Sequence, residues 1–462
     1  MTLEHHPGAK AGMTLEHHPK LILIVIDGLT PSMLEGALDA GALPTLGAIA
    51  ERSRYRRAAT VFPSLTPVCL SSIATGGYPD VHEIPHLQWW HRGERRIVEY
   101  GSSFGAARAA GIGRTLRDTL VGMNAEHLGR RAMTVFEALA DAGLVTAAVN
   151  FTAYRGRTAH RASVPFLNDV LGPERFFFYN LFETDRTGAP LSWRNRARGS
   201  IDAYATAAAR WLITRDGFDF LLFYLSDYDF ASHASGPDTA HDVLVRCDAA
   251  VGSLAAAAGG VDGLLERYAV VVMSDHGQTP VTDVRDLRDR LAGHDGVLVT
   301  AANRAGMAYL LDGCRLDAGA LARLCDGDPS VEVALYLEAH EGVARREGAE
   351  LRFSPDAGGF RTSGDTSVLD HPDGLRRAWC ALRCPNAGEL LLSAAPGWEF
   401  ADLGGGHHSG GGSHGSLVSG DSEVPLLVAG LDELPARIVD VAPLVLRYFG
   451  VEVPPYALER AA

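Results

Sequence analysis

The feature that most constrains this chain is a repeated alternation of short, wholly apolar runs with helical patterns. LILIVID (21–27) reads as a strand buried on both faces. LPTLGAIAERS (43–53) reads as a helix, YRRAATVFP (55–63) as strand-like, and PVCLSSIATG (67–76) as a helix ending at Gly76. Three helix–strand pairs follow: MTVFEALADAG (133–143) with LVTAAVNF (144–151), SIDAYATAAARWLI (200–213) with DFLLFYLSD (219–227), and HDVLVRCDAAVGSLAAAA (241–258) with YAVVVMSD (268–275). VPLLVAG (424–430) and the helix RIVDVAPLVLRYFG (437–450) close the series. A strand without a polar face must be covered on both sides. The pattern therefore predicts an α/β fold, a doubly wound, mostly parallel sheet sandwiched by helices.

Two stretches break the rhythm. Residues 77–131 are rich in Gly, Arg and aromatics, and residues 281–403 hold mixed short elements, among them the strand-like VEVALYL (331–337). The second is long enough for an inserted α+β cap subdomain, which leaves 20–280 and 404–462 as the core. Residues 1–19 contain MTLEHHP twice. They lack the apolar centre of a signal peptide and are expected to form a disordered leader.

Charge and cysteine usage narrow the partners. The net charge of −14 (42 basic against 56 acidic residues) argues against a nucleic-acid polymer, which would want a basic face. It leaves room for a small phosphorylated substrate, because bound metal ions reverse the local sign of a site. LILIVI is far too short to span a bilayer, so no membrane partner is expected. Cys69, Cys247, Cys314, Cys325, Cys380 and Cys384 are scattered, which reads as reduced thiols in a cytoplasmic protein.

In open parallel sheets, functional groups gather beyond the carboxyl ends of the strands. Here those ends carry metal-ligand residues. The first strand ends in Asp27. The 219–227 strand runs into SDYDFASH, placing Asp229 and His233 four apart, within one helical turn. The third ends VVMSDHGQTP, with Asp275 and His276 adjacent and Gly277 allowing a sharp turn. Any one of these taken alone reads as a capping or surface residue; three together do not.

The tract GGGHHSGGGSHGSL (404–417) could be a linker. It precedes the strand VPLLVAG, however, and its glycines let the backbone approach an ion closely. It reads as a flexible loop that delivers His414, with His407 and His408 as exposed neighbours within reach of the site. Three Asp and three His then supply two mixed N/O ligand sets. Such sets suit two divalent ions, zinc first and manganese as the alternative. Two ions about 4 Å apart clamp the attacking and leaving oxygens of an in-line phosphoryl displacement.

A nucleophile should lie at the same edge, and Thr66 is the candidate. It falls where strand gives way to helix, just before Pro67, with its hydroxyl at the positive end of the helix dipole. The bland reading is an N-cap threonine. Ser64, Ser71 and Ser72 are rivals, the last two inside the predicted helix.

Together these residues resemble the alkaline phosphatase superfamily, and within it the type I phosphodiesterase/nucleotide pyrophosphatase family. The resemblance rests on IVIDG, FPSLTPVCLSSIATGGYPDVHEI, the D-x-x-x-H of DFASH, SDHG and GSHG, in that order. It implies that Asp27, Asp275, His276 and Thr66 hold one ion and Asp229, His233 and His414 the other. It further implies that Thr66 attacks phosphorus, becomes a phospho-threonine, and is released by hydroxide held at a metal. The implied activity is cleavage of a phosphodiester or pyrophosphate. A phosphomonoesterase, a phosphonate hydrolase and a phosphomutase are the alternatives on the same site.

The chain departs from the family pattern in places. Cys69 stands where relatives carry a phosphate-contacting Asn, Leu65 where they carry Lys, and HEI (82–84) where they carry HGI. The C/S-x-P-x-R signature of sulfatases is absent. Candidate substrate contacts are Cys69 itself, Trp89 and Trp90 for stacking, and Arg155 and Arg157 for bidentate contact to phosphate. The bland reading of the last four is cap-packing Trp and solvated Arg.

Overall fold

The computed structural model describes residues 20–163, 167–179, 181–182, 201–291 and 293–458; the leader read at 1–19 lies outside the described residues. Its centre is a seven-stranded sheet made of β1 (Leu21–Ile26), β2 (Arg54–Ala59), β3 (Thr146–Val149), β4 (Arg175–Phe177), β5 (Phe220–Leu225), β6 (Ala269–Met273) and β7 (Glu423–Ala429). The spatial order is β2-β7-β6-β1-β5-β3-β4. β6, β1, β5, β3 and β4 run parallel; β7 runs antiparallel to β6 and to β2.

The all-apolar runs are explained by the two faces of this sheet. Leu21, Leu23 and Val25 of β1 share one core with Val68 and Ile73 of helix α1 (Thr66–Thr75). Ile22, Ile24 and Ile26 share the other with Ala208 and Leu212 of Ile201–Thr214 and Val251 and Leu254 of His241–Ala257. Alternate residues of one strand thus feed two separate cores, and no position is left for a polar side chain until the strand ends.

Residues 297–394 build a second sheet, seven-stranded and fully antiparallel. One of its faces (Met307, Tyr309, Val333, Leu335) joins the larger core, with Gly374–Leu382 packed on it, and the other packs on Ala318–Cys325. Its hairpin turn at Ala302–Ala305 points toward the carboxyl edge of the central sheet, where Arg304 N donates to His414 O (2.9 Å). Within 77–131 the chain forms the hairpin Gln88–His91/Arg96–Glu99 and a π-helical run, Asp118–His127. Neither carries a period-3.6 pattern that would have marked it. Among the described residues no single helix is long and apolar enough to cross a membrane.

Candidate active site

β1 lies between β5 and β6, so the chain leaving these three adjacent parallel strands emerges at one edge. That brings Asp229 and Asp275 together with Asp27, which lies more than two hundred residues earlier in the chain. The turn after β1 needs glycine: Gly28 has φ +68°, and a Cβ there would stand 2.8 Å from Asp229 Oδ1. Its N–H donates to Asp275 Oδ1 (3.2 Å), which ties the β1 tip to the β6 tip. Gly277 is required for closeness, since a Cβ would overlap the Gly420 carbonyl.

Three imidazoles enter this cluster with the same orientation device. His276 Nδ1 donates to Gly277 O (3.0 Å), His233 Nδ1 to Gly412 O (2.8 Å), and His414 Nδ1 to Ser64 O (2.7 Å). A backbone carbonyl on Nδ1 fixes each ring and leaves Nε2 facing inward, the arrangement usual for metal-binding histidines. His276 Nε2 faces Thr66 Oγ1 (3.0 Å), Asp27 Oδ1 (3.3 Å) and Asp275 Oδ2 (3.4 Å). His233 Nε2 is 3.3 Å from Asp229 Oδ2, one turn away on helix α2 (Asp227–Ser235). His414 Nε2 is 3.8 Å from Asp229 Oδ1, and its ring stacks on His276 with centroids 3.6 Å apart.

Ligand atoms of Asp27, Asp275 and His276 lie within 4.8 Å of one another, and so do those of Asp229, His276 and His414. His276 therefore borders both groups, which the sequence did not suggest. Asp27 Oδ1 and Asp275 Oδ2 are buried with no hydrogen-bond partner. Burial, then repulsion from the Asp275 and Asp229 carboxylates, pushes the Asp27 carboxyl well above the usual range. Against burial, Asp275, then Asp27 and Asp229, hold His276 up at about 10. Buried carboxylate oxygens left unpaired around one imidazole call for positive charge. The residues present thus fit divalent cations, which would take the place of that proton.

Thr66 is the first residue of α1. The N-cap is Leu65, which has no side-chain cap bond, so the hydroxyl of Thr66 is not consumed in capping and faces His276 instead. Pro67 is the second helical residue. Ser64, Ser71 and Ser72 are fully buried; Ser71 Oγ donates back to Pro67 O. Thr66, Asp27, Asp229, His233 and His414 line one cavity of about 310 Å³, a volume suited to a small molecule.

The glycine tract is no free loop. Gly412–Ser413 pairs with Thr279 and Pro280, and Ser413 and His414 are buried. Buried Glu399 accepts from His408 N, from His408 Nδ1 (2.7 Å) and from Ser413 Oγ (2.9 Å). His408 stacks on His233 at 4.0 Å between centroids and lines the cavity, whereas His407 does not.

The candidate substrate contacts are corrected by their surroundings. Cys69 is fully buried with Sγ 3.3 Å from Thr60 Oγ1, and burial pushes its thiol well up. Trp89 is a core residue, packed edge-on against His127, and Trp90 packs on the same core. Arg155 is spent on Glu137 (3.1 Å) and the carbonyls of Leu128 and Ala132. Arg157 is spent on Asp141 and Glu137. None of the five lines the cavity with Thr66. Tyr224, which donates to Asp27 Oδ2, and Gln278, which donates to Asp229 Oδ1, were missed, as was Asn303, whose Nδ2 is 3.0 Å from His414 Nε2. The Gln in SDHGQ and the Tyr in FYLSD sat beside the quoted motifs; Asn303 had no signal.

A helix-sandwiched α/β sheet with Asp and His at three adjacent strand tips and a hydroxyl at a helix start defines an alkaline-phosphatase-like protein. More narrowly, the family model for type I phosphodiesterase/nucleotide pyrophosphatase matches residues 21–417, and the chain belongs to that family. The comparison with curated proteins returns no match. Among solved structures it is similar to phosphonoacetate hydrolase from Sinorhizobium meliloti in complex with phosphonoformate (22% identity, TM-score 0.61, 96% of each chain covered). It is also similar to murine ectonucleotide pyrophosphatase/phosphodiesterase 5, an inactive threonine-to-alanine variant in complex with AMP (14%, TM-score 0.61, 95% and 96% covered). The human form of that enzyme gives 13% identity and a TM-score of 0.62, with 94% and 96% covered. At these identities the likeness is one of fold.

Proposed function

We propose that this protein is a two-metal phosphohydrolase that cleaves a phosphodiester or pyrophosphate through Thr66. The observation that carries the reading is the hydroxyl of Thr66 at the start of α1, which is not used in capping the helix. It lies 3.0 Å from His276 Nε2, the atom that also faces Asp27 Oδ1 and Asp275 Oδ2, two buried carboxylate oxygens with no hydrogen bond. Asp27, Asp275, His276 and Thr66 would hold one ion, and Asp229, His233 and His414 the other. Zinc suits the mixed N/O donors, with manganese as the second choice. When bound, the ions supply Lewis acidity, which lowers the pKa of a hydroxyl and offsets charge on phosphoryl oxygens.

Thr66 Oγ1 loses its proton to solvent and forms a bond to phosphorus. The bond from phosphorus to the leaving oxygen breaks, and the oxygen departs with the electron pair and takes up a proton. Water then attacks phosphorus and expels Thr66 Oγ1, which regains a proton. Tyr224 orients Asp27, and Gln278 orients Asp229. The small cavity fits a small phosphorylated substrate, and the expected setting is the cytoplasm.

The likeness to phosphonoacetate hydrolase favours a second reading, cleavage of a phosphonate carbon–phosphorus bond on the same residues. Hydrolysis of bis-p-nitrophenyl phosphate, p-nitrophenyl phosphate and phosphonoacetate, with Zn²⁺ or Mn²⁺ supplied, separates the readings. The diester should be preferred and its turnover lost in Thr66→Ala. A preference for phosphonoacetate supports the second reading; a preference for the monoester overturns both.

A further inference from the structure

The second sheet sends one residue into the cavity. Of the described residues that line it, Asn303 alone comes from the 281–403 stretch. It occupies the tip of the hairpin between Val297–Ala302 and Ala305–Leu310, with φ +55°. Asn tolerates that left-handed geometry better than most side chains.

The tip is held from three directions. Phe400 N donates to Asn303 O (2.8 Å), and Arg304 N donates to His414 O (2.9 Å). The fully buried Arg304 guanidinium bridges Asp421 Oδ1 (2.8 Å), Trp398 O (3.0 Å) and Ala395 O (2.9 Å). Asn303 is thus presented on rigid structure and is 6% exposed.

The amide's orientation follows from its neighbour. His414 Nδ1–H is given to Ser64 O, so His414 Nε2 carries a lone pair and Asn303 must turn its NH₂ toward it. That same lone pair is the one His414 would offer to a cation. Once it is so used, the Asn303 N–H loses its acceptor beside the cavity, within reach of whatever anion sits between Thr66 and His414. A buried donor left without an acceptor is costly, and an anionic oxygen is the partner it pairs with most strongly.

Resting on the phosphohydrolase reading above, we propose that Asn303 donates a hydrogen bond to a non-bridging oxygen of the phosphoryl group, so that the second sheet completes the site. Asn303 is then a catalytic residue, stabilising charge that grows on that oxygen in the transition state. Its supply from a separate sheet makes the seating of that sheet on the core a condition for activity.

The test is titration of the zinc-loaded protein with inorganic phosphate by calorimetry, for wild type, Asn303→Ala and the near-isosteric Asn303→Asp. Bound zinc, melting temperature, and kcat and KM on bis-p-nitrophenyl phosphate are read alongside. Both variants should keep zinc and fold, bind phosphate at least about tenfold more weakly, and lose about 100-fold in kcat. Phosphate affinity within twofold of wild type in a variant that retains zinc overturns the proposal. Loss of zinc in both variants also overturns it, because Asn303 would then serve only to place His414. A wild type that binds no phosphate overturns it too. A wild type that binds phosphate through Asn303 but hydrolyses no diester upholds the contact and sinks the diesterase reading. Normal diester turnover in Asn303→Ala does the reverse.

Discussion

Thr66 Oγ1 lies 3.0 Å from His276 Nε2, while the other nitrogen of that ring donates to the Gly277 carbonyl at 3.0 Å. The pair joins the start of α1 to the tip of β6. It also brings a hydroxyl to the imidazole nitrogen faced by Asp27 Oδ1 (3.3 Å) and Asp275 Oδ2 (3.4 Å), two buried carboxylate oxygens that make no hydrogen bond. A hydroxyl so placed is unused by the fold, which is why it is read as chemistry.

The cluster should bind stability to metal. A ligand that binds only the folded state adds about 2.7 kcal/mol at a hundred times its dissociation constant. Chelation is therefore expected to lower the melting temperature by several degrees, with recovery on adding Zn²⁺ or Mn²⁺. Asp275→Asn should lose this response, and its metal-free form should melt no lower than metal-free wild type, because a buried carboxylate has been removed. Calorimetric melts with and without chelator check both. An unchanged melting temperature on chelation contradicts the metal reading.

The buried pair Arg304–Asp421 should act as one unit. Asp421 also accepts from Ser416 N (2.9 Å), Ser416 Oγ (2.6 Å) and Thr279 Oγ1 (2.8 Å), fixing the chain just after His414. Arg304→Met leaves a buried carboxylate unpaired and should cost about 3–5 kcal/mol in urea unfolding. The double variant with Asp421→Asn should lose clearly less than the sum of the singles. Simple additivity would show that the two residues are not coupled.

Much of this arrangement was legible in the sequence, and the reasons are physical. Asp27, Asp229 and Asp275 stood out because a strand feeding two cores has no polar positions, so the polar residues that follow it mark the sheet edge. His414 stood out because glycines flank it. Less legible was anything set by contacts between distant segments. Trp89, in the aromatic-rich stretch, and Arg155, after a strand end, look like ligand contacts, yet one is core and the other is held by Glu137 and backbone carbonyls. Glu399, which pins the glycine tract, and Asn303, at a hairpin tip, carry no local pattern. The place of His276 between both ligand groups depends on packing that spacing does not encode.

His86 should make the fold acid-sensitive. It is fully buried between Ala305 O and Gln88 N, and burial pushes it down to about 4 from 6.5. A group depressed on folding contributes its full stability above its unfolded pKa and loses it as the pH falls through the folded one. The contribution is complete above about 6.5 and disappears toward 4, worth about 3 kcal/mol across that window. His86→Gln should flatten the decline of melting temperature with falling pH relative to wild type. An identical slope in the variant excludes His86 as a source of the decline.

The central claim is that phosphorus becomes bonded to Thr66. The most direct measurement is acid quenching of the metal-loaded enzyme during turnover of bis-p-nitrophenyl phosphate, followed by peptide mass spectrometry. One p-nitrophenyl phosphoryl group, left after one p-nitrophenolate departs, is expected on the peptide that spans Thr66 and should be absent from Thr66→Ala, whose turnover should fall by about 10⁴-fold or more while metal stays bound. Full turnover in Thr66→Ala, or the p-nitrophenyl phosphoryl group on a different residue, would contradict the claim.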